Sequence, residues 1–477
     1  MKDIPNQSQA PPGSFSKKWR GIVFSAVGLA LIVAGVLVTL PHLTSTQAAN
    51  AVTPGDWPMY MHDAGRTGYN SNETIINLSS APHLRQHWAY SIGAAIFSQP
   101  VVASGLIYWG SFDGYEHATN MSGQQIWSQK LGGNITQCAP VSPMGIVSSA
   151  AVVNGVVYVG GSDHQLYALN ASNGHVLWHT LLGVPNTNTF LWDSPLVVNN
   201  TVYIGTATTG ESAGCKLIAG QFFALNASTG SIVHTYNSVP AGCVGGGIWS
   251  SPVYDASDGS IYFTAGTQGT CTTDHVSIGI VKLNASTLTL VSSWQIPLIQ
   301  RKTHDADFAG TPTLFNANGQ NMVGAADKNG IFYAFKRASL SNGPVWQTPI
   351  ATAGACPQCG QGSISSAVWW GGGMLYVAGG MTTINGHACG GSLRALNPSN
   401  GSFIWQACLP GTVLGAVTDT GSRVLAVVDG TALTLVNALT GANLYNNTAN
   451  KYYGSPSISN GVLYVGSKAS GLFAFGT

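Results

Sequence analysis

Charged side chains make up only 7% of this 477-residue chain, so the places where they gather need a reason. His304, Asp305 and Asp307 put three ionisable groups within four positions. A carboxylate in such a cluster can accept a proton, hold a hard cation or anchor a buried strand. We read His304 as a structural hydrogen-bond partner and Asp305 as a group that orients Asp307 or a neighbouring strand. Lys328 stands in Asp327-Lys328-Asn329-Gly330, a sequence that also suits an ordinary hairpin tip. Glu211 falls in an insertion, where a solvated side chain is the plain alternative to a functional one. Trp249 lies outside the position at which tryptophan recurs in this chain, although a large flat ring also serves packing. The eight cysteines include Cys356-Pro357-Gln358-Cys359, but Gly360 follows where covalent haem attachment needs histidine. Zinc on Cys356, Cys359, His387 and Cys389 is conceivable, with structural disulfides as the favoured reading.

Self-similarity names the elements that must position these residues. One unit reads SSAAVVNGVVYVGGSDHQLYALNASNGHVLWHTLLG over residues 148–183. Asn154-Gly155 and Asn173-Gly174 are turn signals between short strands of period-two alternation. The unit recurs from near Ser98, Ser148, Ser194, Ser250, Gly310, Ser365, Gly415 and Ser455. Leu-Asn-Ala turns are nearly copied at Leu169, Leu225 and Leu283. Tryptophan closes several units, at Trp127, Trp178, Trp294, Trp346 and Trp405, and should dock between adjacent sheets. The last unit stops at Thr477 without such a strand, while an orphan strand containing Trp88 precedes the first. The orphan should therefore complete the last blade and close the ring, removing open edges. The expected fold is all-β: an eight-bladed propeller of four-stranded blades, its N-terminal strand closing the last blade. Insertions cover residues 206–221, 267–277 and 379–391, and function in such rings sits on loops at one face.

A formal net charge of +1 gives no electrostatic case for nucleic acid. Lys17, Lys18 and Arg20 precede an uncharged apolar run over residues 21–40, long enough to span a bilayer. We expect a cytoplasmic tail at 1–20, a transmembrane signal anchor or signal peptide at 21–41, a linker and leading segment at 42–83, and the propeller at 84–477. The body would lie outside the cytoplasm, anchored to the membrane, or secreted if cut near residue 48.

The Leu-Asn-Ala-x-x-Gly-x-x-x-Trp closures resemble the tryptophan-docking repeats of quinoprotein dehydrogenases, which bind pyrroloquinoline quinone (PQQ). The resemblance covers residues 57–477, and the leading Trp57-Pro-Met-Tyr-Met-His-Asp63-Ala-Gly-Arg66-Thr-Gly-Tyr69 is also similar to that superfamily. Repeats alone are shared with non-catalytic propellers of outer-membrane assembly, so site residues must discriminate. The Gly210-Glu211 pair resembles the family's source of a calcium carboxylate. Gly245-Gly-Gly-Ile-Trp249 resembles the segment whose tryptophan lies beneath the quinone. His304-Asp-Ala-Asp307 is close to the motif of the catalytic aspartate, and Lys328 to the cation touching the quinone oxygens. The resemblance thus implies Asp307 as general base and metal ligand, with Trp249 and Lys328 holding the cofactor. It further implies an alcohol substrate, small or polymeric, and a separate electron acceptor, since no haem domain is present.

Some positions depart from that pattern. The family's third calcium ligand is an asparagine, where this chain has Thr267-Gln268, so Thr267 is the candidate third ligand beside Glu211 and Asp307. Lanthanide users carry an aspartate where Ala309 stands, which favours calcium. Lys rather than Arg at 328 and the shorter blades look more like polyvinyl-alcohol dehydrogenases than methanol dehydrogenases. The alternative is a membrane-anchored, non-catalytic propeller that binds protein or glycan.

Overall fold

The computed structural model describes residues 53–133, 144–185, 187, 189–208, 216–271, 276–301, 307–370, 372–469 and 471–477. All lie in the unit Ala48–Thr477. Among them no helix is long and apolar enough to cross a membrane, and the apolar run at 21–40 lies outside the described residues.

Alternating strands and two-residue turns build eight blades, seven of them four-stranded antiparallel sheets and one in which Tyr69–Asn70 adds a fifth, parallel strand to four antiparallel ones. The unit quoted above becomes the strands Ala151–Val153, Val156–Gly160, Gln165–Asn170 and Val176–Leu181. Its first turn needs Asn-Gly because both central residues have positive φ, 51° at Asn154 and 76° at Gly155. The third to fifth blades, which carry the candidate site, begin with Leu196–Val198, Val253–Asp255 and Thr313–Ala317. The last sheet takes Tyr452–Ser459, Val462–Ser467 and Leu472–Gly476 from the end of the chain and Arg85–Tyr90 from near its start. Arg85 pairs with Gly476 and Trp88 with Ala474, so the orphan strand closes the ring as expected.

Tryptophan docking follows one rule at five junctions. Indole N–H groups of Trp88, Trp127, Trp178, Trp346 and Trp405 each donate, at 2.9 Å, to a carbonyl in the following blade's turn. The same ring covers a glycine of that turn: a Cβ on Gly174 would stand 2.7 Å from Trp127. Trp294 also docks on the next blade, as expected, but from a different position in its strand. It pairs with Ile280, two residues beyond the bulge where the docking tryptophan sits in other blades. Its ring packs instead on Tyr333 and Phe335, at 5.4 and 5.1 Å. The third blade has His234 at the docking position, and the next turn carries Leu288 at φ 53° where others place glycine.

Near the axis, hydroxyls tie the first six blades in series. The amide of Gln99 donates to Ser149 Oγ (2.8 Å), that of Ser149 to Ser194 Oγ (3.0 Å), and that of Ser194 to Ser251 Oγ (2.9 Å). Ser251 then donates to Thr311 Oγ1 (3.1 Å) and Thr311 to Ser366 Oγ (3.3 Å). The leading segment crosses one end of this axis. Trp57 bridges to Val102, Met59 to Ala151, and Tyr69–Asn70 runs parallel to Thr418–Thr420. Arg66 is fully buried there, its guanidinium donating to the carbonyls of Pro252, Tyr60, Ser194 and Pro195.

Candidate functional site

Asp307, Lys328, Trp249 and Thr267 converge on one axial cavity of about 730 Å³. Asp307 precedes Phe308, which bridges to Asp327. That bridge lays the turn carrying Lys328 against the aspartate. Lys328 Nζ donates to Asp307 Oδ2 at 2.8 Å, with the two side chains only 6% and 7% exposed. The other carboxylate oxygen accepts the Thr267 amide at 2.5 Å. The ammonium also lies 5.5 Å from the centroid of the Trp249 ring. Gly266 makes this approach possible, since a Cβ there would stand 2.7 Å from Asp307 Oδ1 and 2.8 Å from Trp249 Nε1.

Thr267 holds its place at φ 47°, a conformation that side chains seldom adopt. Three restraints keep it there. Its carbonyl accepts the Gly246 amide (2.8 Å) and its hydroxyl donates to the Thr208 carbonyl (2.6 Å). A disulfide between Cys243 and Cys271 then staples the segment leading to Trp249 onto the loop carrying Thr267. Across the cavity, Pro357 and Gln358 line the wall between Cys356 and Cys359, which are also disulfide-bonded. Cys389 pairs with Cys408. Those two disulfides dispose of the zinc alternative, because a thiolate site needs its sulfurs unpaired.

Glu211, His304 and Asp305 lie outside the described residues. Among the described residues no three His, Cys, Asp or Glu side chains gather as a metal group. Of the three expected metal ligands, Asp307 and Thr267 lie among the described residues, joined by the Thr267 amide's hydrogen bond to the carboxylate. Ala309, at the position favouring calcium, lines the cavity.

The cavity has three features that sequence reasoning passed over. Phe97 stacks on Tyr453 at 4.3 Å and meets Phe112 at 4.5 Å, giving an aromatic wall. Asp327 is buried beneath the Asp307–Lys328 pair, and burial together with nearby Asp307 holds its carboxyl well above the usual carboxylate range. Tyr60 and the axial serines line the end crossed by the leading segment. Of these, only Tyr60 lies in the leading motif, and nothing in that motif's spacing says that it threads the axis.

Comparisons with known proteins were then made. The family model PQQ_2, described as outer membrane protein assembly factor BamB, matches residues 78–204, 113–378 and 245–476. The chain is 24% identical over 314 residues to the quinoprotein alcohol dehydrogenase PedH of Pseudomonas putida, covering 56% of this chain and 51% of that protein. With the quinohemoprotein alcohol dehydrogenase of Comamonas testosteroni it shares 29% over 201 residues, 40% of this chain and 27% of the relative. The crystal structure of that enzyme superposes with a TM-score of 0.72 at 18% identity, covering 90% of this chain and 81% of its own, a likeness of fold alone. The Escherichia coli assembly factor BamB is 29% identical over 129 residues, 24% of this chain and 33% of the relative. The match thus spans about half or less of the length of these curated relatives.

Proposed function

This chain belongs to the PQQ_2 family, and from that premise we propose that it is a quinoprotein alcohol dehydrogenase acting outside the cytoplasm. The observation that carries the reading is the meeting of Asp307, Lys328, Trp249 and Thr267 on the axial cavity. A scaffold that binds partners on its rim has no need of a buried ion pair beside an aromatic face at the axis.

The residues present suit a flat, anionic quinone. Trp249 offers an aromatic face, Lys328 an ammonium above it, and the axial serines offer hydroxyl donors. When bound, PQQ supplies the two-electron oxidant. Asp307 accepts the proton of the alcohol hydroxyl, and the Thr267 amide and Lys328 ammonium orient its carboxylate for that task. Lys328 neutralises negative charge at the ring, and the aromatic wall keeps water from the reacting alcohol. Glu211, Asp307 and Thr267 are the oxygen donors for calcium, a hard cation that takes carboxylate and hydroxyl ligands. Electrons leave to a separate acceptor. Disulfides support an oxidising compartment, with residues 21–41 as membrane anchor, or secretion after cleavage near residue 48.

The non-catalytic reading keeps one support, the likeness to BamB. The purified chain, loaded with PQQ and calcium, should show the absorbance of bound quinone and reduce an artificial dye with alcohols. Failure to bind the quinone at saturating calcium would leave the scaffold reading in its place.

A further inference from the structure

Trp249 stands four residues before Val253, which pairs its blade's first strand to the second at Tyr262. The residue four places before the equivalent pair lines the cavity in all eight blades. It is aromatic at Phe97, Trp192, Trp249 and Tyr453 and aliphatic in the other four. Phe97 and Tyr453 belong to the first and eighth blades, across the ring from Trp249 in the fourth and Asp307 at the start of the fifth. Their rings stack at 4.3 Å, and Phe112 lies 4.5 Å from Phe97. Phe112 and Met144 share one apolar cluster, against which Phe97, Val147, Trp192 and Trp249 pack. The apolar surface is therefore continuous from Trp249 round to the opposite wall.

Charge is confined to the other side. Asp307 and Lys328 are the only charged side chains among the described residues lining the cavity, and they pair with each other. On the far wall the hydroxyls besides that of Tyr453 come from Ser149 and Ser455, and each already accepts a backbone amide. A charged or many-hydroxyl group placed there would lose its hydration without gaining partners. An apolar group placed there gains by leaving water. The cavity, at about 730 Å³, lies in the upper half of the usual span for small-molecule sites, which leaves space for a second molecule beside a cofactor on Trp249.

We infer that the wall of Phe97, Phe112 and Tyr453 is the subsite for the substrate's carbon body. The substrate is then a neutral alcohol carrying a compact apolar group, and not a polyol. This assignment rests on the dehydrogenase reading, in which the hydroxyl meets Asp307; the apolar group crosses the axis to the aromatic wall.

Toluene has no hydroxyl to oxidise and so probes the wall without turnover. Calorimetric titration of the unloaded full chain should show toluene binding with a negative heat-capacity change. Phe97→Ala should weaken it by about tenfold, the worth of part of one aromatic side chain's apolar contact. Saturating PQQ and calcium should leave toluene bound, because the two occupy opposite sides of the axis. No toluene binding, or displacement of toluene by the quinone, would overturn the subsite, and neither outcome needs a variant to fold. Binding unchanged by Phe97→Ala in a folded variant would overturn it too. In the loaded protein, kcat/KM should climb by about fourfold per methylene from ethanol to 1-pentanol, with toluene competing against the alcohol. A flat series, or a preference for glycerol over 1-propanol, would overturn the apolar-alcohol assignment. Toluene binding by a chain that takes up no quinone and oxidises no alcohol would leave the subsite standing and remove the dehydrogenase reading instead.

Discussion

Asp307→Asn changes one oxygen for an amide nitrogen and removes one charge. The wild-type carboxylate is 2.8 Å from Lys328 Nζ, with both side chains nearly excluded from water. Breaking such a buried pair from one side costs about 3–5 kcal/mol, because the remaining charge keeps its desolvation penalty and loses its counter-charge. Lys328→Met should cost a similar amount, leaving the carboxylate with the Thr267 amide as its partner among the described residues. Removing both charges together relieves the penalty that each single variant incurs. The double variant should therefore lose well under the sum of the two, by on the order of 2 kcal/mol or more. Denaturant titration followed by tryptophan fluorescence gives the three values. In the quinone-loaded protein the same Asp307→Asn should lower kcat/KM by about 10²- to 10⁴-fold, the usual contribution of a general base. Simple additivity of the two stability losses would show that the pair is not coupled. Turnover within tenfold of wild type would place the base elsewhere.

Gly174→Ala should destabilise the ring, since it combines φ 73° with a Cβ 2.7 Å from Trp127; Trp127→Ala should cost about 3–5 kcal/mol by thermal or chemical unfolding, and the two losses should not add because both empty the same junction. Glu116 is fully buried, neither carboxylate oxygen has a partner among the described residues, and burial raises its pKa well above 4.5. Its contribution to stability is complete below about 4.5 and is lost as pH climbs toward the folded-state value, so Glu116→Gln should gain on the wild type between pH 5 and 8, by at most about 1.4 kcal/mol per pH unit; a gap that does not widen with pH refutes the assignment. Replacing Cys243 and Cys271 together by serine should leave the blades folded but loosen the Thr267 loop. Amide exchange at Thr267 should quicken while the blade strands keep their protection.

The ring was legible because its signals are local and repeated. Asn154-Gly155 states its turn in two residues, and the Trp88 strand states closure because a truncated last unit needs a fourth strand. Trp294 docks on the next blade as its recurrence suggests, but the manner of its docking was not legible. Spacing along the chain does not reveal the bulge, which shifts the register and turns that ring onto Tyr333 and Phe335. Asp307, Lys328 and Trp249 could be singled out from rare charge and from motif order, yet their meeting depends on contacts made across blades. Arg66 and Tyr60 show the limit most clearly. Their roles depend on a segment that crosses the axis and touches carbonyls more than a hundred residues away, as in Arg66 to Ser194, and no local pattern encodes such a path.

The departure at Thr267 now has a physical account. An asparagine would bring a carboxamide oxygen to the metal; this chain has a threonine whose hydroxyl is already committed to the Thr208 carbonyl. What the position must supply in either case is a backbone amide aimed at Asp307, and that requires φ 47°. Threonine is β-branched and poorly suited to that conformation, whereas asparagine tolerates it better than most residues. The disulfide between Cys243 and Cys271 and the Gly246 amide supply the restraint that a better-suited residue would need less. Thr267→Asn should therefore stabilise the loop slightly and lower the calcium concentration needed for quinone binding. If it instead raises that concentration, the carboxamide is a poorer ligand here than the Thr267 hydroxyl, and the loop has adapted to threonine rather than tolerating it.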